Sequence, residues 1–381
     1  MMPRKFPKKT NKIMHKAQET ILEIDLNALR HNFEYIKSLL KKDTKILAVV
    51  KAFAYGSEAN QVARYLQDLG IDYFAVAYVH EGVALRDAGI TTPILVLHPQ
   101  PINFKLLISR CLEPSLYSAK ILKGFIAIAV EENQHNYPVH IKFNTGLNRL
   151  GFSDTDVGAI ISELQKTASV MVKSLFSHLA ASEDLAEAGF TNHQILMFSN
   201  ISKAFTKKIG YEAIRHICNT SGVLNYSDAH FDMVRCGIGL YGYGNSQVHN
   251  KNFKPVTTLK SVISQVHNIK KGETVGYNRA FKSESFVNTA TIPIGHADGI
   301  GRIYGNGKGI VYINGKPAPI IGNVCMDMIM VNVTKIKCKE GDEVVIFGKE
   351  TTASDFANGA NTISYEILTA ISQRVKRIVL N

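Results

Sequence analysis

Residues 45–56 read KILAVVKAFAYG. An apolar, partly β-branched run from Ile46 to Val50 stops at Lys51, a small loop holds Tyr55 and Gly56, and a helical pattern follows from Glu58 to Leu69. A buried strand that delivers a lysine at its C-terminal tip desolvates the ammonium, lowers its pKa and makes it a nucleophile or imine former. Taken alone, the stretch favours the plainer reading, a lysine that snorkels out of a strand end.

The same texture recurs on either side. Further apolar runs fall at 72–77, 93–97, 112–116, 138–143, 171–177, 213–218 and 231–235, and most gaps between them carry a helical pattern. Continuous apolar runs suit parallel strands covered on both faces. Eight such units predict an α/β fold, a (β/α)8 TIM-type barrel whose site lies at the C-terminal strand ends. Beyond Pro255 the pattern changes to short β-prone runs at 256–266, 287–293, 309–313, 318–324, 328–333 and 342–347, with an Asn-Gly hairpin signal at Asn314-Gly315 and a short helix near Ser354 to Asn358. The expected organisation is a basic, disordered tail over 1–18, the barrel over 19–254 and a mainly β domain over 255–381. The strand at Ile21 to Asp25 is the one segment that could cross from the first unit to the second.

At 381 residues, with 45% hydrophobic and 20% charged residues, the chain reads as soluble and globular. No run approaches the ~18 apolar residues of a membrane helix, and no apolar segment follows the basic start as in a secretory signal. Five scattered cysteines without CxxC spacing point to a reducing cytoplasm and to no metal site. Six of the basic residues behind the net charge of +12 lie within residues 1–16. The folded part therefore lacks the basic stripe that nucleic-acid binding asks for.

Polar residues gather at the predicted strand ends. Lys142, Asn144, Thr145 and Arg149 follow the fifth strand, Ser177 and His178 the sixth, Asn219 to Gly222 the seventh, and Arg235 and Gly237 to Gly239 the eighth. Small residues after the last two strands form the usual phosphate cradle of this fold. Individually these residues have plainer readings: a helix N-cap for 219–222, a satisfied core histidine for His178, an ion pair for Arg149. Jointly, beside a buried lysine, they point to pyridoxal phosphate.

The stretches AVVKAFAYG, KFNTGLNRLGF, SHLA, HICNTSG, MVRCGIGLYG, VGYNRAF, IPIGHADG, GNVCMDM and TISYE occur in an order that resembles bacterial alanine racemase over nearly the whole chain. The resemblance implies a pyridoxal-phosphate isomerase of fold type III that interconverts L- and D-alanine for peptidoglycan, acting as a cytoplasmic homodimer with shared sites and no metal. It makes Lys51 the imine lysine and one catalytic base, and Tyr277 the second base, lent by the partner subunit. Removal and return of a proton on opposite faces of Cα suits two bases. A phenol ordinarily ionises near pH ~10, so it needs support, which His178 would give. Arg235 matches the arginine at the pyridine nitrogen; a fixed cation cannot protonate the ring, which weakens it as an electron sink. Arg149 and the Met326 N–H match the substrate-carboxylate contacts, Lys142 a lysine that is carbamylated in many members, and Asp327 a residue beside the entrance. Tyr55, Asn219, Thr220, Gly237, Ile238 and Tyr365 match the cofactor-phosphate region.

Departures stand at Phe53, where asparagine is common, at Ser57-Glu58 for His-Gly, at Asn144 for aspartate, Asn148 for glycine, Thr220 for serine and His296 for tyrosine. The rival readings are a broader amino-acid racemase, for serine as an example, a barrel-type decarboxylase, and a non-catalytic pyridoxal-phosphate homeostasis protein. The β domain carrying Tyr277 and Met326 argues against the last, which resembles a lone barrel.

Overall fold

Residues 16–381 are described by the computed structural model; most of the tail expected over 1–18 lies outside the described residues. The apolar runs pair side by side because each can bury both faces. Strand β1 is Ile21–Asp25. Strands β2 (Lys45–Val49), β3 (Tyr73–Val76), β4 (Ile94–Val96), β5 (Glu113–Leu116), β6 (Tyr137–Lys142), β7 (Val170–Phe176), β8 (Ile214–His216) and β9 (Met233–Cys236) form one parallel sheet in the order β8-β7-β6-β5-β4-β3-β2-β9. The backbone bonds Asp232 N–H to Arg215 O (3.1 Å) and Arg235 N–H to Cys218 O (3.0 Å) bridge β8 and β9, so the barrel is nearly closed. Each predicted barrel strand is found with its ends within two residues.

Side-chain alternation decides what enters the barrel. Leu47, Tyr73, Ala75, Leu95 and Met233 make a small interior cluster that Val49 packs against, and Lys51 continues the parity of Leu47 and Val49. The rest of the interior is unusually polar: Glu113, His140, Ser174 and His216 are all buried.

The remaining strands are β10 (Thr257–Val262), β11 (Gln265–Ile269), β12 (Thr274–Val275), β13 (Phe281–Lys282), β14 (Val287–Ile292), β15 (Ile310–Ile313), β16 (Lys316–Ile321), β17 (Ile329–Asn332), β18 (Glu343–Phe347) and β19 (Lys376–Leu380). All but the β12-β13 ribbon join a second sheet ordered β11-β14-β17-β16-β15-β18-β10-β1-β19. The run expected as one strand over 256–266 is two, broken at Ile263-Ser264. Asn314 (φ 50°) and Gly315 (φ 71°) make the two-residue turn that pairs Ile313 with Lys316. Strand β1 lies in this sheet, antiparallel to β10 and parallel to β19, with Ile21 opposite both Lys260 and Lys376.

Candidate active site

The turn after Lys51 is left-handed. Ala52, Phe53, Ala54 and Tyr55 have φ of 52°, 55°, 53° and 55°, and Gly56 has φ 77°. This region costs an L-residue roughly 1–2 kcal/mol each, so the surroundings must impose it. On one side Glu81 accepts the Ala52 N–H (2.7 Å) with Oε1, and those of Ala77 (2.7 Å) and Tyr78 (3.0 Å) with Oε2. On the other, Arg377 of β19 donates to Gly56 O (2.9 Å) and Ser57 O (3.2 Å). A Cβ on Gly56 would stand 1.8 Å from Leu368 O, so the C-terminal helix Ser364–Ala370 seats directly on the turn. The result is a lysine with a lowered pKa, first through burial, then through Arg149, with Glu81 opposing.

Other strand ends supply more cations. Burial, then Arg149, Arg235 and Lys51 bring the Lys142 amine down to about 8. His178 is held well below its ordinary value by burial and then by Arg235, Arg149, Lys142 and Lys51. Lys51, Lys142, Arg149 and Arg235 thus all act on His178, and Glu81 is the carboxylate felt by Lys51. Arg235 donates through Nη1 to His216 Nδ1 (2.8 Å) and His216 O (3.1 Å). Through Nη2 it reaches Ser177 O (2.6 Å), Ile217 O (3.0 Å) and His178 Nδ1 (3.1 Å). Its Nε–H alone has no protein acceptor among the described residues.

Beside this lies a cradle of small residues and hydroxyls. The Gly239 N–H donates to Thr220 Oγ1 (3.1 Å), while the N–H groups of Gly237 and Ile238 meet no backbone acceptor among the described residues. A Cβ on Gly237 would come within 2.2 Å of the Tyr55 hydroxyl. Tyr55 stacks on Tyr241 (4.6 Å between centroids) and lies 6.0 Å from the Tyr365 ring. Asn219 does serve as an N-cap: its Oδ1 accepts from Gly222 N–H (2.9 Å) and Ser182 Oγ (2.8 Å). Asn245 was missed from sequence, although its Nδ2 donates to Ser221 Oγ (2.9 Å) and Tyr365 Oη (3.1 Å). Glu81, His98, His216 and Tyr241 were missed as well, although His98 directly follows the predicted strand 93–97; Glu81 lies on a helix, His216 inside a predicted strand and Tyr241 six residues past one.

Tyr277, Met326 and Asp327 lie elsewhere in the chain. They line an open groove of about 610 Å³ on the second sheet, with the Tyr277 and Met326 side chains 70% and 59% exposed. Arg374 braces this edge, joining Asp298 (2.6 Å) to Asp327 (2.5 Å). Among the described residues no hydrogen bond or ring contact joins the Tyr277 side chain to Lys51 or His178.

Two family models match in succession: Alanine racemase, N-terminal domain, over residues 24–245, and Alanine racemase, C-terminal domain, over residues 256–379. The chain belongs to the alanine racemase family. Among curated relatives it is 37% identical to "Alanine racemase" of Clostridium perfringens over 366 residues, 93% of this chain and 94% of that one. It is 35% identical to "Alanine racemase 2" of Caldanaerobacter subterraneus over 370 residues, 95% of each. The solved alanine racemase of Clostridium difficile superposes with TM-score 0.88 at 34% identity, covering 95% of this chain and 96% of the other. A Bartonella henselae alanine racemase, described with covalently bound pyridoxal phosphate, gives 0.87 at 30%, covering 95% and 99%.

Two departures from the alanine racemase pattern have visible consequences. Asn148 has φ 55°, a conformation that asparagine tolerates better than most residues, so it can stand where glycine is common. Asn144 Oδ1 accepts the N–H groups of Gly146 (3.1 Å) and Asn148 (3.0 Å), shaping the loop that presents Arg149. An amide oxygen does this as well as a carboxylate would, without adding an anion beside Arg149. Phe53, by contrast, is an aromatic 57% exposed at positive φ, where asparagine is common.

Proposed function

We propose that this chain interconverts L- and D-alanine with pyridoxal phosphate, as a cytoplasmic homodimer whose D-alanine supplies peptidoglycan. We also place the boundary between its two units at 254/255. The observation that carries the reading is Lys51, a half-buried strand-tip amine of lowered pKa among three further cations. The residues fit the cofactor. The free Arg235 Nε–H is a donor for a ring nitrogen, and the small-residue turn at Gly237–Gly239, with the Tyr55 hydroxyl over it, is a cradle for a phosphate. Lys51 would hold the cofactor through its amine, and Tyr55, Thr220, Gly237, Ile238 and Tyr365 would hold its phosphate.

When bound, the cofactor supplies an electron sink for the charge left at Cα when the α-proton departs. Lys51 Nζ takes or returns that proton on one face, and its lowered pKa leaves more free amine at neutral pH. Tyr277 Oη of the second copy does the same on the other face, with Met326 and Asp327 at its side. The exposure of Tyr277 and Met326 in one chain supports a completed site only across two chains. Arg149 orients the substrate carboxylate. Arg235 stays a cation at neutral pH, because burial brings its guanidinium down only to about 10; the carbonyls and imidazole nitrogens around it accept its N–H groups.

The direct test is incubation of the purified, cofactor-loaded protein with L-alanine and chiral detection of D-alanine; formation at enzymatic rate is expected, and its absence overturns the reading. Mixing inactive Lys51→Ala and Tyr277→Phe proteins under conditions that exchange subunits should restore up to about a quarter of the activity, since hybrids carry one intact site each. Verified hybrids with no recovered rate would rule out the shared site.

A further inference from the structure

Beneath Arg235, on the side away from the cradle, polar residues cross the barrel where packed Val, Ile and Leu layers are the rule. His216 Nε2 lies 2.8 Å from Ser174 Oγ, Ser174 Oγ 2.5 Å from His140 Nδ1, and His140 Nε2 2.7 Å from Glu113 Oε2. Each of these residues comes from a different strand, β8, β7, β6 and β5, so the line runs around one wall from the substrate end towards the N-terminal end of β5. His140, Ser174 and His216 are fully buried and Glu113 is 8% exposed. The Tyr73 ring meets His140 edge-on at 6.0 Å, and its hydroxyl, beside the Glu113 carboxylate, is pushed up by burial and by that charge. Phe176 stacks flat on His216, with centroids 4.9 Å apart and planes 2° from parallel.

Donor and acceptor inventories allow one proton arrangement. A guanidinium only donates, so His216 Nδ1, facing Arg235, must be the acceptor, and the His216 proton sits on Nε2. That N–H donates to Ser174 Oγ. Ser174 has no third partner among the described residues, so its own proton goes to His140 Nδ1. The His140 proton is then on Nε2 and donates to Glu113. Every link points the same way, and the line starts on a buried cation and ends on a buried anion.

We propose that Glu113, His140, Ser174 and His216 are positioning residues, a directional hydrogen-bond relay that fixes the tautomer of His216 and so aims Arg235 and its free Nε–H at the ring site. Glu113 serves as the remote counter-charge of a guanidinium that has no carboxylate of its own. Reversing any link would turn His216 Nδ1 into a donor facing another donor, so the acid at the far end decides the polarity of the whole line. The relay itself is a property of the chain; the use of Arg235 rests on the racemase reading above.

The test is side-chain nitrogen NMR of the full chain carrying ¹⁵N-histidine, in wild type, Glu113→Gln and Ser174→Ala. In wild type, His140 and His216 should both show bare Nδ1 and protonated Nε2. Glu113→Gln should shift the His216 resonances although the two residues do not touch, and Ser174→Ala should shift both histidines. A protonated Nδ1 on either wild-type histidine, or His216 resonances unmoved in Glu113→Gln, overturns the relay. Should Glu113→Gln not fold, unmoved His216 resonances in Ser174→Ala have the same force. In turnover, Glu113→Gln should lower kcat about tenfold with little change in KM, and lose nothing further when combined with Arg235→Lys. Equal losses in both backgrounds would overturn action through Arg235. Wild-type protein with the expected tautomers but no D-alanine formation would sink the racemase reading and leave the relay standing.

Discussion

Although the stretch alone favours a snorkelling lysine, the position of Lys51 at a strand tip could be read locally, from five apolar residues ended by a cation. Its neighbours could not. Glu81 lies thirty positions away on a helix whose own sequence gives no sign that its first-turn carboxylate is shared with Ala52. Lys142 shows what such company does to a single group. Its folded pKa, about 8, is below the ordinary 10.5, so between those values the unfolded chain holds a proton that the folded chain lacks. Stability therefore rises with pH across that window, and below it the full penalty of the buried charge remains. Lys142→Met should raise the unfolding free energy of the cofactor-free protein, measured in urea at pH 7, by about 3 kcal/mol at most. The gain should shrink from pH 8 upward and nearly vanish above pH ~10.5. A gain independent of pH would mean that packing, not charge, sets the effect.

At the scale of elements, the barrel strands could be read because each is a continuous apolar run bounded by polar ends. The left-handed turn could not, since Ala-Phe-Ala-Tyr favours the right-handed region and distant groups, among them Glu81, Arg377 and the 364–370 helix, hold it in place. Strand β19 was also missed: KRIVL carries two cations and makes its parallel pairing with β1. Phe53 gives a measurement for the turn. Phe53→Asn puts a residue tolerant of positive φ at an exposed position and should stabilise the protein by up to about 1 kcal/mol. A lower chemical-denaturation midpoint would show that the Phe53 ring makes a contact worth more than the strain.

For the whole molecule, the two sheets are less separable than their sequence textures suggested. Strand β1 precedes the barrel yet has both its neighbours, β10 and β19, in the second sheet, and Arg377 of β19 grips the end of the lysine turn. A chain ending at Lys254 leaves both edges of β1 bare and removes Tyr277, Met326 and Arg377. It should accumulate mostly as aggregate and show no racemisation; a well-behaved, active product would separate the barrel from its β domain. The pairing of Ile21 with Lys376 also sets a clock. At the 5–20 residues per second of protein synthesis, the 355 residues that follow Ile21 up to and including Lys376 take about 20–70 s to emerge. All eight barrel strands are outside the ribosome well before β19 exists. The nascent chain must therefore carry β1 unpaired through most of its birth, and the lysine turn acquires its second clamp only near the end of translation.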